Sequence, residues 1–409
     1  MAPMRYSYFL SILEAASYFS LNRYSKALTS NLPLSKKFTT TNHRIHLLTS
    51  KRKLFSTSSS TPLFPKSTIM NERIITCTDG VQISITHWSS STSEASCRKR
   101  IVLLHGWLDN IASFHILAPQ LQKDDVEIIS IDLPGHGRSG HKSADGPPQS
   151  ITEYVYYLSE VLSQLQWISI ENNNKSETIN SEVTLIGHSM GAAISVIYAA
   201  AFPEFVKQMV LLDGAGPLHR NTQEISRHIR KAVSQRISSN YHHVNNDNNT
   251  KMNNISHNDK RSNTRRWIEF EDAVKARINT AKLSPGKQYI SKEAAEALVE
   301  RATISQTPNS QKEQLDTNLV SFCHDSRLKW PSMQYFTKEQ VHALYDDIQC
   351  PVCLITAKDG WPVSASIKDA IKTKLKPLVH KELPGSHHFH ADPDTASNVA
   401  NEVISFLYR

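Results

Sequence analysis

Residues 183–191 have the sequence VTLIGHSMG, and a run of small and apolar residues follows them from 192 to 201. An apolar run, a serine between two glycines and a small-residue run together predict a β-strand, a sharp turn and an α-helix. Such a turn strains the backbone of Ser189, so the flanking Gly187 and Gly191 must lack bulk. The following helix directs its N-terminal dipole towards any negative charge beside the serine. The pattern favours Ser189 as a catalytic nucleophile.

Strands and helices alternate on both sides of this motif. A hairpin is predicted first, within 73–88, with Asp79 and Gly80 as its turn pair. Later apolar runs have the length and composition of buried strands in a parallel sheet. They lie at 101–104, 127–131, 183–186, 208–213, 352–356 and 380–383. Their alternation with helical segments predicts an α/β fold with a mostly parallel, doubly wound sheet.

The alternation stops between residues 214 and 347. Polar segments with helical periodicity, 267–278 and 291–301, predict a helical cap inserted after the sixth strand. Within it, residues 240–263 are rich in Asn, His and Ser without periodicity, and they predict an irregular loop. The predicted boundaries are an N-terminal extension at 1–70, a first core part at 71–213, the cap at 214–347 and a second core part at 348–409.

A serine hydroxyl needs an adjacent base, which is usually a histidine oriented by a carboxylate. The base is expected after the last strand, where residues 385–390 have the sequence GSHHFH. His387 stands second after the glycine and is predicted as the base, with His388 as the alternative. His390 is interpreted as a residue that packs or hydrogen-bonds within the loop.

The chain order serine, acid, histidine places the acid after a late strand. Asp359 follows the strand at 352–356 by three residues and is predicted as the acid. Asp213, at the end of the preceding strand, is the alternative. Asp132 ends an earlier strand, outside this order, and is interpreted as a structural residue that braces the turn at 134–137.

An oxyanion hole needs two backbone N–H groups aimed at the developing charge. Met190, directly after the serine, is predicted to supply one. The second is expected from the loop after the strand at 101–104, where His105 and Gly106 precede Trp107. The N–H of Trp107 is predicted as this donor, and Gly106 lets the backbone approach a substrate closely.

Charge is unevenly distributed along the 409 residues, whose net charge is +8. Residues 1–70 contain ten Lys or Arg and one acid, Glu14, which gives +9, whereas the rest of the chain has 36 bases and 37 acids. A body so close to neutral does not favour nucleic-acid binding. An extension that is basic, rich in Ser and Thr and almost free of acids is typical of a mitochondrial transit peptide.

The alternative interpretation of the extension is a disordered tail, with Met70 as the start of a complete domain. The predicted localisation is mitochondrial, and a cytoplasmic or peroxisome-associated protein is the alternative. No apolar run in the sequence is long enough to span a bilayer. Cys350 and Cys353 form a C-x-x-C pattern, but it leads into a strand and no second cysteine pair accompanies it. We therefore expect no cofactor and no metal.

In combination, these motifs resemble the α/β-hydrolase superfamily from about residue 72 to 409. More narrowly, the chain is similar to the serine hydrolase-like family that includes the insect kraken protein. The matching segments are 106–110 (GWLDN), 113–114, 135–139, 187–191 and 211–213, with weaker matches at 327–330 and 385–387. The resemblance implies an α/β-hydrolase fold and a serine hydrolase with poorly defined substrates. The chain departs from the family pattern in its long extension, its Asn-rich segment and its C-terminus, which has no peroxisomal signal. The cellular location of relatives is therefore not carried over.

The predicted function is a serine hydrolase that cleaves a carboxylic ester, or a thioester or amide, through an acyl-enzyme on Ser189. Its expected partner is a small-molecule ester. One alternative is a non-enzymatic, ligand-binding relative, and the other is an acyltransferase or C–C hydrolase of the same fold. A serine at the sharp turn argues against epoxide hydrolase and dehalogenase chemistry, which use an aspartate there. The sequence assigns neither substrate-binding residues nor an oligomeric state.

Overall fold

The computed structural model describes residues 68–90, 99–143, 146, 149–169, 182–248, 267–286, 288–305 and 319–409. The predicted extension lies outside these residues except for its last three, and so does most of the predicted irregular loop at 240–263. The part of that loop up to Asn248 belongs to a helix, so the prediction of irregular structure is wrong there. In the described ranges, no helix is long and apolar enough to cross a bilayer.

The strands form one large and one small sheet. In chain order they are β1 Thr68–Thr76, β2 Gln82–Ser90, β3 Lys99–Leu104, β4 Val126–Ile131, β5 Val183–His188, β6 Val206–Leu212, β7 Ile268–Glu269, β8 Thr303–Ser305, β9 Leu319–Phe322, β10 Val352–Asp359 and β11 Val379–Ser386. The large sheet has the order β1-β2-β4-β3-β5-β6-β10-β11. The predicted hairpin β1–β2 and the pair β2–β4 are antiparallel, and every other neighbouring pair is parallel. The predicted α/β fold with a mostly parallel sheet is confirmed.

Helices cover both faces of the large sheet. In chain order the helices are α1 Leu117–Leu121, α2 Glu153–Gln164, α3 Met190–Ala201, α4 Ile225–Asn248, α5 Phe270–Leu283, α6 Lys292–Ala302, α7 Lys338–Asp346, α8 Ala365–Ala370 and α9 Pro393–Leu407. On β3, Val102 and Leu104 pack in a cluster with α2 and α3, whereas Ile101 and Leu103 pack with α1 and α9. Successive side chains of a strand point to opposite faces, so a strand covered on both sides needs an unbroken apolar run.

Between β6 and β10 the chain leaves the large sheet and returns to it. This segment contains α4 to α7 and the antiparallel sheet β7-β9-β8. It has a small core of its own, in which Val274 of α5, Leu298 of α6 and Val320 of β9 are buried together. Ala391, from the loop after β11, is buried in the same cluster. The inserted segment therefore packs directly on the loop that follows the last strand.

Parallel strands place their carboxyl ends at one edge of the sheet, where ligands bind in folds of this kind. Ser189 directly follows β5, and Asp213 directly follows β6. Asp359 is the last residue of β10, and His387 directly follows β11. The sheet thus brings the predicted nucleophile, both candidate acids and the predicted base to the same edge.

Candidate active site

Ser189 lies in a sharp turn between β5 and α3. Its backbone has φ 52° and ψ −110°, a conformation that residues with a side chain rarely adopt. The serine is the single residue between His188, which ends β5, and Met190, which begins α3. Its N–H donates a hydrogen bond of 3.0 Å to the carbonyl of Leu212, at the end of β6. The neighbouring strand therefore supports the strained turn.

The two glycines that flank the serine allow close contact between backbones. A Cβ on Gly191 would lie 2.0 Å from the carbonyl oxygen of Leu104 in β3. A Cβ on Gly187 would lie 2.4 Å from the carbonyl carbon of Gly191. Both distances are far below van der Waals contact and involve backbone atoms, which cannot swing aside. The sequence needs glycine at both positions because β3, β5 and α3 meet there.

His387 and Asp213 form the polar contact at the centre of the site. Nδ1 of His387 lies 2.6 Å from Oδ2 of Asp213, and the side chains are only 12% and 5% exposed. A carboxylate can only accept a hydrogen bond, so Nδ1 carries the proton. In the neutral ring Nε2 is then left as an acceptor, which is the tautomer a general base needs.

The end of β10 and the turn after it hold the Asp213 carboxylate in place. Oδ1 accepts a hydrogen bond of 3.0 Å from the N–H of Ala357, and Oδ2 accepts one of 2.9 Å from the N–H of Trp361. A Cβ on Gly360 would lie 2.4 Å from Oδ1, so this turn can close around the carboxylate only with glycine at that position. The backbone of Asp213 has φ 46°, in the left-handed region that Asp tolerates better than most residues.

The aspartate in contact with His387 is not the one that the sequence favoured. Asp359 ends β10, where an irregularity in the register pairs its backbone with Ser386 of β11. Across the described residues, the carboxylate in contact with His387 is that of Asp213, the alternative, and not that of Asp359. The physical reason is that Ala357, near the end of β10, and Trp361, in the turn after it, direct their N–H groups at Asp213.

Two further contacts fix the position of His387. Its N–H donates a hydrogen bond of 2.9 Å to Oε1 of Gln288, a buried residue of the inserted segment. Its carbonyl accepts one of 2.8 Å from Nε2 of His188, the residue before the serine. The ring of Trp361 also lies beside the His387 ring, with 5.5 Å between centroids. His387 is therefore linked to the serine turn through His188.

His388, the alternative base, has a different carboxylate partner. Its Nε2 lies 3.2 Å from Oδ2 of Asp109, and Nη2 of Arg277 lies 2.5 Å from the other oxygen of Asp109. Burial lowers the pKa of His388 although Asp109 raises it. Burial also raises the pKa of Asp109, but His388 and Arg277 lower it, and the net pKa lies well below its usual value. His388 thus belongs to a buried ion cluster and not to the contact with Asp213.

His390 is a packing residue, one of the two roles predicted for it. It is fully buried, and neither ring nitrogen has a hydrogen-bond partner among the described residues. Its ring centroid lies 4.1 Å from that of His188 and 5.3 Å from that of Phe114. Burial and the neighbouring histidines lower its pKa well below the usual value, so the ring is neutral.

The loop after β3 lies against the serine turn. A Cβ on Gly106 would lie 2.9 Å from Nδ1 of His188, so the loop can approach this closely only with glycine. Trp107 is 37% exposed, and its indole N–H donates a hydrogen bond of 3.1 Å to the carbonyl of Leu328 in the inserted segment. Met190 is the first residue of α3, and the first N–H groups of a helix have no partner within the helix. The backbone N–H groups of Trp107 and Met190 remain the predicted oxyanion donors.

His105 stabilises this loop from the buried side. Its Nε2 accepts a hydrogen bond of 3.0 Å from the N–H of Leu133, so its Nδ1–H donates to the carbonyl of Gly106 at 2.8 Å. Burial lowers the pKa of His105 to about 4, and the ring is therefore neutral at physiological pH. The loop that carries Trp107 is thus attached to the chain that follows β4.

Asp132 has the structural role predicted for it. One oxygen accepts a hydrogen bond of 2.8 Å from the N–H of Ile111, and the other accepts one of 2.8 Å from the N–H of Arg138. Arg301 of α6 donates to the second oxygen through Nε, also at 2.8 Å. Asp132 therefore braces the turn at 134–137 and binds the inserted segment as well.

Sequence analysis missed the contacts between the core and the inserted segment. Arg277 is one basic residue on a polar helix, and no sequence signal distinguishes it from its neighbours. Gln288 lies in a short connection without a motif. Asp109 lies in the motif at 106–110, which marks its importance but not its partners. Within the described residues, no three His, Cys, Asp or Glu side chains are arranged to hold a metal ion.

Comparison with known proteins agrees with this geometry. The chain is 29% identical over 335 residues to a serine hydrolase-like protein of Dictyostelium discoideum. This match covers 80% of this chain and 79% of the relative. It is 27% identical over 311 residues to a serine hydrolase-like protein of Danio rerio, covering 74% of this chain and 81% of the relative. The predicted resemblance to the serine hydrolase-like family is confirmed.

Solved structures and a family model point to the same fold. A hypothetical protein of Pseudomonas aeruginosa superposes with a TM-score of 0.62 at 26% identity, covering 83% of this chain and 99% of that one. A thioesterase domain from the curacin biosynthetic pathway has a TM-score of 0.56 at 20% identity, covering 82% and 99% of the two chains, which shows likeness of fold alone. The model of the alpha/beta hydrolase fold matches residues 99–394. The chain therefore belongs to the alpha/beta hydrolase family.

Proposed function

We propose that this hydrolase cleaves a carboxylic ester through an acyl-enzyme on Ser189, with His387 as the base and Asp213 as the acid. The observation that carries the proposal is the 2.6 Å contact between Nδ1 of His387 and Oδ2 of Asp213, at the sheet edge where the strained serine lies. A base oriented by a buried carboxylate is the arrangement that activates a serine hydroxyl.

In the first half of the reaction, Oγ of Ser189 attacks the ester carbonyl and its proton passes to Nε2 of His387. The proton on Nδ1 stays in the hydrogen bond to Asp213, whose negative charge stabilises the imidazolium that forms. His387 then gives its proton to the leaving alcohol, and the serine remains acylated. In the second half, water attacks the acyl-enzyme with His387 again as base, which regenerates the serine hydroxyl and releases the acid.

The N–H groups of Trp107 and Met190 are the proposed donors to the oxyanion. Met190 contributes the first N–H of α3, where the positive end of the helix dipole adds to the stabilisation of negative charge. Trp107 lies on the loop that packs against the serine turn at Gly106. Both donors are backbone groups, so a substitution removes them directly only if it introduces proline, which has no N–H.

The test is a series of p-nitrophenyl esters of increasing acyl length, with the wild-type chain and a Ser189→Ala variant. Loss of the nucleophile lowers kcat by at least about 10⁴-fold in related triads. We therefore expect turnover by the wild type and background rates from the variant. A fluorophosphonate probe should label the wild type and leave Ser189→Ala unlabelled.

Each alternative gives a different result in the same assays. Undiminished hydrolysis by Ser189→Ala would contradict the assignment of the nucleophile. Probe labelling without turnover of any ester directs the search to thioesters and amides. The absence of both labelling and turnover from a folded chain supports a ligand-binding protein without activity. Preferential transfer of the acyl group to an added alcohol identifies an acyltransferase.

A further inference from the structure

Helix α4 carries an exposed apolar stripe. Four aliphatic side chains recur at every fourth position and are 38% to 61% exposed: Ile225, Ile229, Val233 and Ile237. Residues four apart are neighbours on a helix surface, so these side chains form one continuous row. The helix packs on the protein through the adjacent side, which carries the buried Ala232 and the partly buried His228 and Arg236. The row therefore faces solvent because the helix uses another side for its own packing.

Basic side chains accompany this stripe. Residues 217–238 contain five Lys or Arg and one acid, Glu224, which gives +4, although residues 71–409 as a whole contain 36 bases and 37 acids. Arg227 and Arg230 are both exposed. Arg230 lies one turn before Val233, so it borders the apolar row. The face thus combines aliphatic groups with a local excess of positive charge.

The contacts of the helix connect it to the loop that carries Trp107. The guanidinium of Arg236 donates a hydrogen bond of 2.8 Å to the carbonyl of Pro331. Three residues earlier, the carbonyl of Leu328 accepts the hydrogen bond from the indole of Trp107. At its other end, α4 is joined to Asp213 by residues 214–224 alone. Two hydrogen bonds therefore link α4, through residues 328–331, to the loop that carries Trp107.

We propose that the exposed face of α4 binds the surface of an anionic lipid bilayer. A helix with aliphatic groups on one side and Lys or Arg beside them lies in the plane of a membrane, with its apolar groups among the acyl chains. The basic groups then approach the negative headgroups, to which each adds attraction. A second copy of the chain is the less favourable occupant, because a symmetric contact would set the exposed Arg227 and Arg230 of one copy against those of the other.

The experiment is flotation of the full chain with vesicles of phosphatidylcholine, with and without phosphatidylglycerol. We expect binding to the anionic vesicles, weaker binding to the neutral ones and a decrease at high ionic strength. In an Ile229→Asn/Val233→Asn variant the partition constant should fall by at least about tenfold, because the apolar groups no longer enter the bilayer. In Arg227→Gln/Arg230→Gln it should fall by roughly 25-fold, about fivefold for each charge.

Matched controls distinguish binding through this face from non-specific binding by other exposed apolar residues. Leu283 and Leu378 are 53% and 65% exposed and lie outside the stripe, so Leu283→Asn/Leu378→Asn should bind like the wild type. Residues 1–70, with a net charge of +9, are present in every variant and contribute equally. Thermal unfolding followed by circular dichroism checks that each variant is folded.

Three results would overturn the proposal. The first is no flotation of the wild type with either kind of vesicle. The second is equal flotation of the wild type and both folded α4 variants, which would assign lipid binding to another part of the chain. The third is a dimer, measured by light scattering, that the α4 variants convert to monomer without any vesicle binding, which would assign the stripe to self-association.

Discussion

Asp213 and Asp359 stand at the ends of two adjacent strands, yet only one of them contacts the base. The difference comes from the backbone. Asp213 takes a left-handed conformation directly after β6. Its carboxylate then accepts one N–H from Ala357, near the end of β10, and one from Trp361, in the turn after β10. Three hydrogen bonds to one buried carboxylate fix its orientation towards His387.

The two aspartates give the most direct test of the site at the level of single residues. In Asp213→Asn the amide can donate to His387 and favour the wrong tautomer, so kcat should fall by about 10⁴-fold while the fold persists. In Asp359→Asn, the matched control, kcat should change less than about tenfold. The measurement is steady-state hydrolysis of the ester that the wild type prefers. The reverse order of the two losses would restore Asp359 as the acid.

Sequence could place Ser189 and His387 at one edge of the sheet but could not tell which aspartate contacts His387, for a local reason. Ser189 needs a fixed spacing of glycines that the sequence displays directly, and His387 lies in the short loop after the last strand. Two strands end close to an aspartate, however, and the choice depends on the φ of Asp213 and on how the turn at 357–361 folds back. Neither of these leaves a periodic pattern in the sequence.

The glycine after the serine gives a second prediction for single residues. In Gly191→Ala the added Cβ meets the carbonyl oxygen of Leu104 at 2.0 Å, so β3 and α3 must separate. We expect a large loss of stability, or insoluble protein, on thermal unfolding. The control is Gly146→Ala, where the nearest atom, the carbonyl oxygen of Ser143, lies at an ordinary 3.5 Å. Normal stability of Gly191→Ala would mean that the turn is looser than the structure shows.

Among the elements, two buried arginine–aspartate contacts join the inserted segment to the core. Arg277 of α5 contacts Asp109 after β3, and Arg301 of α6 contacts Asp132 after β4. Both aspartates are almost completely buried. A buried carboxylate is stable as an ion only with such partners. The inserted helices α5 and α6 therefore stabilise the buried carboxylates of Asp109 and Asp132.

The contact between α5 and the core predicts the effect of removing Arg277. In Arg277→Ala the Asp109 carboxylate loses a charged partner in a buried site, and the free energy of unfolding should fall by about 3–5 kcal/mol. Lys275→Ala is the matched control on the same helix, because Lys275 pairs with Asp272 at the surface, and it should cost less than about 1 kcal/mol. Urea unfolding of both variants measures the difference.

A double variant shows whether the loss comes from the unpaired charge. Asn at position 109 needs no cationic partner, so Asp109→Asn/Arg277→Ala should lose less stability than the sum of the two single variants. Additive losses would indicate that Arg277 acts through packing and not through Asp109.

Elements with a strong pattern were predictable, and those that depend on tertiary contacts were not. The continuous apolar runs of β3 and β5 predict strands because both faces of the sheet are covered. The strands β7 and β8 have only two and three residues, too few to show an alternation. The helix α4 extends to Asn248 through a polar segment whose composition favours irregular structure.

For the whole molecule, the core and the inserted segment form one connected structure. Val341 and Tyr345 of α7 are buried with residues of α3, although α7 precedes the return of the chain to β10. The loop after β11 contributes His387 to the site and Ala391 to the core of the inserted segment. The position of the base therefore depends on the packing of both parts.

The last prediction concerns the strongly basic extension, residues 1–70, and the effect of removing it. A chain that starts at Met70 loses two residues of the edge strand β1, Thr68 and Ile69, and keeps the pairing of residues 70–76 with β2. It also keeps Glu72, which accepts hydrogen bonds from Arg138 and Arg301. We therefore expect its midpoint of thermal unfolding to lie within about 4 °C of the full chain, the effect of roughly 1 kcal/mol or less.

A chain that starts at Val81 tests the same boundary from the other side. It lacks all of β1, the buried Ile75 and both ion pairs of Glu72, so it should unfold at a much lower temperature or fail to fold.

A fluorescent fusion of the full chain should enter mitochondria, and a fusion that starts at Met70, which has lost a net charge of +9, should not. Mitochondrial import of the shortened fusion would contradict the transit-peptide hypothesis, and unfolding of the chain that starts at Met70 would show that the extension belongs to the fold.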